Sequence, residues 1–389
     1  MKKFLSTFVL IIFGSSLFAQ LKVQNLVTEH LVNPVGIGVA QPRFGWQLSS
    51  DKKSVSQAGY EIIVSSSSSK AAIWKSGKVL SDSSVDVVYQ GAPLQSGTRY
   101  SWQVRVWDNS GAASAWSEAA IFQTALFYDA DGKAKWIEPG FTEDPVNRPA
   151  VMFRRKFDIS KKIKSATLYV TAHGMYEIQL NGKRVGDAYL APGWTSYNKR
   201  LQYQEYDVTA MLNSGGNAVG AMVGSGWYRG YLAWENNKDV YGKTLGLLVQ
   251  LDITYSNGSK ESVISDDSWK SSTGPITNVE IYHGERYDAR LEKAGWATAS
   301  YDDSKWSGVT VPPSTYDNLV AAENEPITKQ GTFTATKVIT TPSGEKVLDF
   351  GQNLVGWVVV KATGKAGDSI VIKHAEVLDK NGNVYTDNL

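Results

Sequence analysis

The sequence predicts an all-β protein built as tandem β-sandwiches. Short runs alternate apolar and polar residues with a period of two, the pattern of half-buried strands. Examples are YEIIVSSS from Tyr60, YSWQVRVWD from Tyr100, ATLYVTA from Ala166, YEIQL from Tyr176 and GLLVQLDITY from Gly246. Helical periodicity is almost absent. The dipeptides Asn181-Gly182, Asn257-Gly258 and Asn381-Gly382 are the strongest short-range hairpin signals. A length of 389 residues favours two to three domains, and 42% hydrophobic content is enough to give each a packed core.

The chain opens with a processing signal. Lys2 and Lys3 precede an apolar run over residues 4–18, and Ala19 stands before Gln20. This reads as a secretory signal peptide at 1–19, too short for a membrane span. The mature protein is therefore expected to be secreted or periplasmic, with no membrane insertion. There is no Cys anywhere, so neither a disulfide nor a lipid-bearing Cys is expected. The net charge is +2, with Lys and Arg spread evenly. That gives no electrostatic case for nucleic acid.

Residues 20–125 read as one fibronectin type III-like unit. FGWQL places Trp46 on an early strand. Leu94 and Tyr100 precede a strand alternating Trp102, Val104 and Val106. This predicts a tyrosine corner, in which the phenol anchors a loop of a Greek-key sandwich. Residues 135–312 read as a two-sheet jelly roll, opening with AKWIEPG and closing with GWATASYDDSKWSGVTV. Residues 326–389 again look strand-like, but they are few for another sandwich. An incomplete sheet there would expose an unpaired edge and an apolar face.

Several long stretches carry a resemblance. LAPGWTSYNKRLQYQEYDVT, GSGWYRGYLAWENNKDVYG, DDSWKSSTGPITNVEIYHGERYDARLE and LDFGQNLVGWVVVKATGKAGDSIVIKHAEVLD resemble the N-terminal half of bacterial α-L-rhamnosidases of glycoside hydrolase family 78. The resemblance implies a fibronectin-like domain, then a jelly roll similar to carbohydrate-binding module family 67, then the start of a β-sandwich. In that family an (α/α)6 barrel follows and carries the carboxylates for inverting hydrolysis of terminal α-L-rhamnose. No helical repeat occurs here, so no catalytic residue is carried over. The expectation is a non-catalytic portion that binds rhamnose-containing oligo- or polysaccharide. The alternative is a free-standing glycan-binding or adhesion protein.

Residues 226–243, GWYRGYLAWENNKDVYGK, place five large rings beside a knot of acids and amides. Sugars need a flat apolar face together with acids and amides that take paired hydroxyls. Trp227, Tyr228, Tyr231 and Trp234 supply rings, while Glu235, Asn236 and Asp239 supply oxygens. Calcium is a candidate cofactor, because vicinal hydroxyls and side-chain oxygens can fill its oxygen shell. The resemblance implies that an acid-amide pair, best matched by Glu235-Asn236, and backbone carbonyls of a later loop hold the ion. The later loop is best matched by Tyr282-His283-Gly284-Glu285, with His283 contributing its carbonyl. Trp194, in PGWTSYNKR, is either a second wall of the pocket or part of a loop pinned by its own rings. Trp227 is either a sugar contact or a core residue. Glu285 and Asp288 lie three apart on a strand pattern and would face opposite sides. They suit a salt-bridge network with Arg286 and Arg290 better than an acid/base pair. Glu285 also remains a candidate for shaping the sugar pocket. His173 is read as a satisfied sheet histidine.

Overall fold

A computed structural model describes residues 21–387, apart from 68, 128–130, 233–236 and 314. The expected signal peptide at 1–19 lies outside the described residues, as do Trp234, Glu235 and Asn236. Contacts divide the chain into two compact units that meet in sequence at Ile327 and Thr328.

The first unit begins with a sandwich. One sheet orders the strands Lys22–Thr28, Arg43–Ser49 and Val87–Val88. The other orders Val35–Ile37, Ala120–Thr124, Arg99–Asp108, Gln57–Ser66 and Ala72–Lys75. Alternate residues of Arg99–Asp108 are buried, which is why Trp102, Val104 and Val106 join Phe44, Trp46 and Phe122 in one core. Burying each such large side chain contributes about 1.5–3 kcal/mol. The two indoles keep their N–H groups satisfied inside, Trp102 donating to Thr28 Oγ1 and Trp46 to Gln57 Oε1, both at 3.0 Å. The expected tyrosine corner is present: the buried Tyr100 hydroxyl accepts the Gln95 N–H at 2.9 Å.

A second sandwich follows, of two five-stranded sheets. One orders Lys183–Arg184, Met175–Leu180, Gly215–Gly224, Val151–Ile159 and Lys270–Thr273. The other orders Lys260–Ile264, Gly246–Tyr255, Ile163–His173, Leu201–Asp207 and Leu319–Ala321. The last pair is parallel, Leu201 opposite Leu319, so this sheet reaches past residue 312. Phe153, Leu168, Ile178, Val219 and Leu251 fill the space between the sheets. Asn181 and Gly182 both have positive φ and close the two-residue hairpin between Leu180 and Lys183, as their sequence demands. No helix among the described residues is long and apolar enough to cross a membrane.

The second unit departs from the strand-rich expectation. Lys337–Thr340 pairs with Lys346–Asp349, and residues 350–376 form no strand. Val355, Trp357 and Val359 are spaced two apart as on one face of a strand, yet these three, with Ile370 and Val371, are all exposed. Alternation is local, whereas a strand is completed only by a hydrogen-bonded neighbour. Among the described residues of this unit, the sheet stops at the pair already given.

Candidate functional site

The ring-rich loop starts where the strand Gly215–Gly224 ends. Gly226 takes positive φ, and a Cβ there would stand 2.5 Å from Met175 Cγ, so only glycine fits the turn. The helix Gly226–Arg229 follows, closed by the Gly230 N–H donating to the Gly226 carbonyl at 3.1 Å. Arg229 is buried and anchors the loop from below. It donates to Glu143 at 2.7 Å and to Ser225 Oγ at 3.2 Å. Its carbonyl accepts from Arg148 Nη1 at 3.2 Å and from the Asp239 N–H at 3.3 Å. Arg148 also pairs with the Asp239 carboxylate. Leu232 and Asn237, which flank 233–236, are tied by an N–H to carbonyl bond of 2.7 Å. Tyr231 and Lys238 form a β-bridge.

A second loop meets the first. It is the turn between Ile276–Glu280 and Gly284–Tyr287. Glu280 joins the two: one carboxylate oxygen accepts the Tyr231 N–H at 2.5 Å, and the other accepts the N–H groups of Tyr282 and His283 at 2.7 and 3.2 Å. The Tyr231 and His283 rings contact with centroids 4.8 Å apart. Between them opens a cavity of about 170 Å³, lined also by Arg148, Lys238, Asn278 and Glu280.

A separate aromatic cluster sits at the other end of the same loop. Trp194 is 53% exposed and lies parallel to Trp227, with centroids 6.0 Å apart. Its indole N–H donates to the Tyr241 hydroxyl at 3.3 Å. Tyr197 is buried, and its hydroxyl donates to the Gly193 carbonyl at 2.5 Å, so the Trp194 loop is pinned by its own ring. Below it His173 is stacked between Trp136 at 3.8 Å and Tyr228 at 4.6 Å. Burial lowers its pKa to about 4, which keeps the imidazole neutral at physiological pH.

The structure thus brings Tyr231 and His283 to one cavity. Trp194 belongs to the cluster around Trp227, and Glu285 lies on the exposed strand Gly284–Tyr287 without lining the cavity. Trp234, Glu235 and Asn236 lie outside the described residues. The expected salt-bridge network around Glu285 reduces to one pair: Asp288 binds Arg290 through both carboxylate oxygens, at 2.8 and 2.5 Å. That pairing, with the Arg290 N–H, lowers the Asp288 pKa to about 2. Glu285 and Arg286 make no ion pair among the described residues. The sequence reading missed Glu280. Its signal was an acid inside the strand pattern TNVEIY, where an apolar residue would be ordinary. For calcium, the described residues hold no group of three His, Asp or Glu able to ligate a metal. Both oxygens of Glu280 accept backbone N–H groups.

Two sandwiches in series, with ring-bearing loops at one end of the second, define a modular all-β protein. Three families match the chain in succession. They are a Rha78A-like N-terminal immunoglobulin domain over residues 23–128, an α-L-rhamnosidase N-terminal domain over 161–331, and a bacterial α-L-rhamnosidase concanavalin-like domain over 339–389. A curated α-L-rhamnosidase of Formosa agariphila is 36% identical over 93% of this chain and 40% of its own length. The crystal structure of an α-L-rhamnosidase from Aspergillus terreus superposes with a TM-score of 0.87 at 38% identity, covering 94% of this chain and 42% of that one. The Streptomyces avermitilis α-L-rhamnosidase, solved in complex with L-rhamnose, gives 0.86 at 28% identity, covering 95% and 52%. The chain belongs, as an N-terminal portion, with the bacterial α-L-rhamnosidases of glycoside hydrolase family 78. It spans about 40% of the length of the curated relative from Formosa agariphila.

Proposed function

We propose that this chain is the accessory, N-terminal part of an exported α-L-rhamnosidase, and that its second sandwich binds terminal rhamnose on glycans. One observation carries the reading. Glu280 ties the loop that bears Tyr231 to the turn that bears His283. The loop's acid-amide pair, Glu235 and Asn236, and the later-loop carbonyl of His283 are the parts such a site needs, and they lie on these two tied segments. Calcium belongs to the same proposal, held by Glu235, Asn236 and the His283 carbonyl, where it would supply a Lewis-acidic centre for vicinal hydroxyls. Tyr231 would cover the apolar face of the sugar. The parallel pair Trp194 and Trp227 would stack a neighbouring residue of the glycan.

Hydrolysis is not assigned to this chain. Glycosidase carboxylates work in pairs roughly 5–9.5 Å apart across the bond. Glu280 is the only carboxylate among the described cavity-lining residues. The test is calorimetric titration of the full chain with L-rhamnose, with and without a chelator. Weak binding, with a Kd on the order of 0.1–1 mM and lost on chelation, is expected. The absence of heat in both conditions would sink the reading. An aryl rhamnoside is expected to remain uncleaved.

A further inference from the structure

We infer that a groove on the outer face of the second sandwich takes further uncharged sugar units of the glycan held at the neighbouring cavity. This rests on the reading of that cavity given above. The paired strands Met175–Leu180 and Gly215–Gly224 set Met175 opposite Gly224, Glu177 opposite Met222 and Gln179 opposite Gly220. The intervening Tyr176, Ile178 and Leu180 belong to the core, so the three pairs lie on the outer face of the sheet. There Met175, Glu177, Gln179 and Met222, with Val279 and Trp296, line a groove of about 240 Å³. Val279 also lines the cavity beside Tyr231, and Ser225 of that cavity follows Gly224 of the groove. The two spaces therefore adjoin. Their contents suit one ligand. The half-buried Trp296 ring rests on Gly220, where a Cβ would stand 2.4 Å from Trp296 Cζ3. Trp306 stacks near it, 6.4 Å between centroids. The indole is thereby fixed, an apolar wall for the CH face of a pyranose ring. The Gln179 amide has no hydrogen-bond partner among the described residues and offers both donors and an acceptor. Glu177, two residues away on the same face, accepts from Arg184 at 3.1 Å through one oxygen and leaves the other for a hydroxyl. Arg184 balances its charge, so hydroxyls suit the groove better than ions. A lipid chain would cover both polar groups and pair neither.

The test uses the whole chain with L-rhamnose, with rhamnose-capped neutral gluco-oligosaccharides from disaccharide to tetrasaccharide, and with the uncapped oligosaccharides. In calorimetry the capped tetrasaccharide is expected to bind about threefold or more tighter than rhamnose, the gain of an added hydrogen bond. Gln179→Ala should remove that gain and leave rhamnose binding unchanged; circular dichroism verifies that the variant folds. The chain has five methionines, so spectra of methyl-labelled methionine read the groove directly. Met175 and Met222 should shift with the longer probes and not with rhamnose. If rhamnose binds but length brings no gain, or the gain survives in Gln179→Ala, or the two methionines stay unshifted, the inference falls and the rhamnose reading stands. If rhamnose fails to bind while an uncapped oligosaccharide binds through Gln179 and shifts both methionines, the groove stands as a glycan site and the rhamnose reading falls. If Met175 and Met222 shift instead with protein concentration, the groove is an interface between copies and the inference falls. If no probe binds, both fall.

Discussion

The Glu280 carboxylate accepts the backbone N–H of Tyr231 at 2.5 Å, joining two segments 49 residues apart. Its other oxygen accepts from Tyr282 and His283. A Cβ on Gly230 would stand 2.4 Å from this carboxylate, so glycine is what lets the loop approach so closely. Removing the carboxylate leaves three N–H groups without their acceptor. Glu280→Ala is expected to destabilise the sandwich by about 2–4 kcal/mol and to abolish ligand binding. Glu280→Gln retains one carbonyl oxygen and should fall between. Amide exchange at Tyr231 and Tyr282 checks the cause: unchanged protection in Glu280→Ala would show that the link does not order these loops.

Arg154 is wholly buried, yet it is charged. It donates to the carbonyls of Trp296 at 2.8 Å and Thr298 at 2.9 Å and pairs with Asp303. The guanidinium pins the segment that covers the outer face of the sheet containing Val151–Ile159. Arg154→Met leaves two carbonyls unpaired and Asp303 with only Lys270, at 3.2 Å. The expected loss is about 3–5 kcal/mol, read by urea unfolding. A change below a third of that would mean the carbonyls find water instead.

The first sandwich offers a smaller, cleaner test. Tyr100→Phe keeps the ring stacked on Phe122, 5.4 Å between centroids, and deletes only the hydroxyl that accepts from Gln95. About 1 kcal/mol should be lost. Equal stability of the two proteins would count against the corner as an energetic feature.

Glu205 sits beneath the connection between the two sandwiches. One oxygen accepts the Leu126 N–H at 3.0 Å, and the other is buried without a hydrogen-bond partner. Burial raises its pKa well above the ordinary 4.5, against the opposing effect of the Leu126 N–H and the nearby Gln123 amide. The native state therefore holds the proton more tightly than the unfolded chain does. Stability from this group is complete below 4.5 and is lost as the pH rises toward the native value. Glu205→Gln should raise the Tm at neutral pH and change it little in acid. Parallel pH profiles for the two proteins would refute the assignment.

Much of the architecture could be read from local pattern. The period-two runs became Gln57–Ser66, Arg99–Asp108, Ile163–His173 and Gly246–Tyr255. The Asn181-Gly182 turn and the Tyr100 corner formed where they were expected. These features depend on neighbours a few residues away, so one strand's text suffices to specify them. The same logic over-reached at 350–376, where alternation is present and paired strands are not.

What the chain alone determined, then, is its all-β class, its order of sandwiches and the residue types gathered near Tyr231. Tertiary structure decided that Glu280 would be the clamp, that Trp194 would stack on Trp227 instead of facing His283, and that Arg154 would be buried. Each of those outcomes depends on which strands lie side by side. Local pattern does not display that adjacency, because it records neighbours along the chain while these contacts join distant segments that meet only once the sheets have paired and packed.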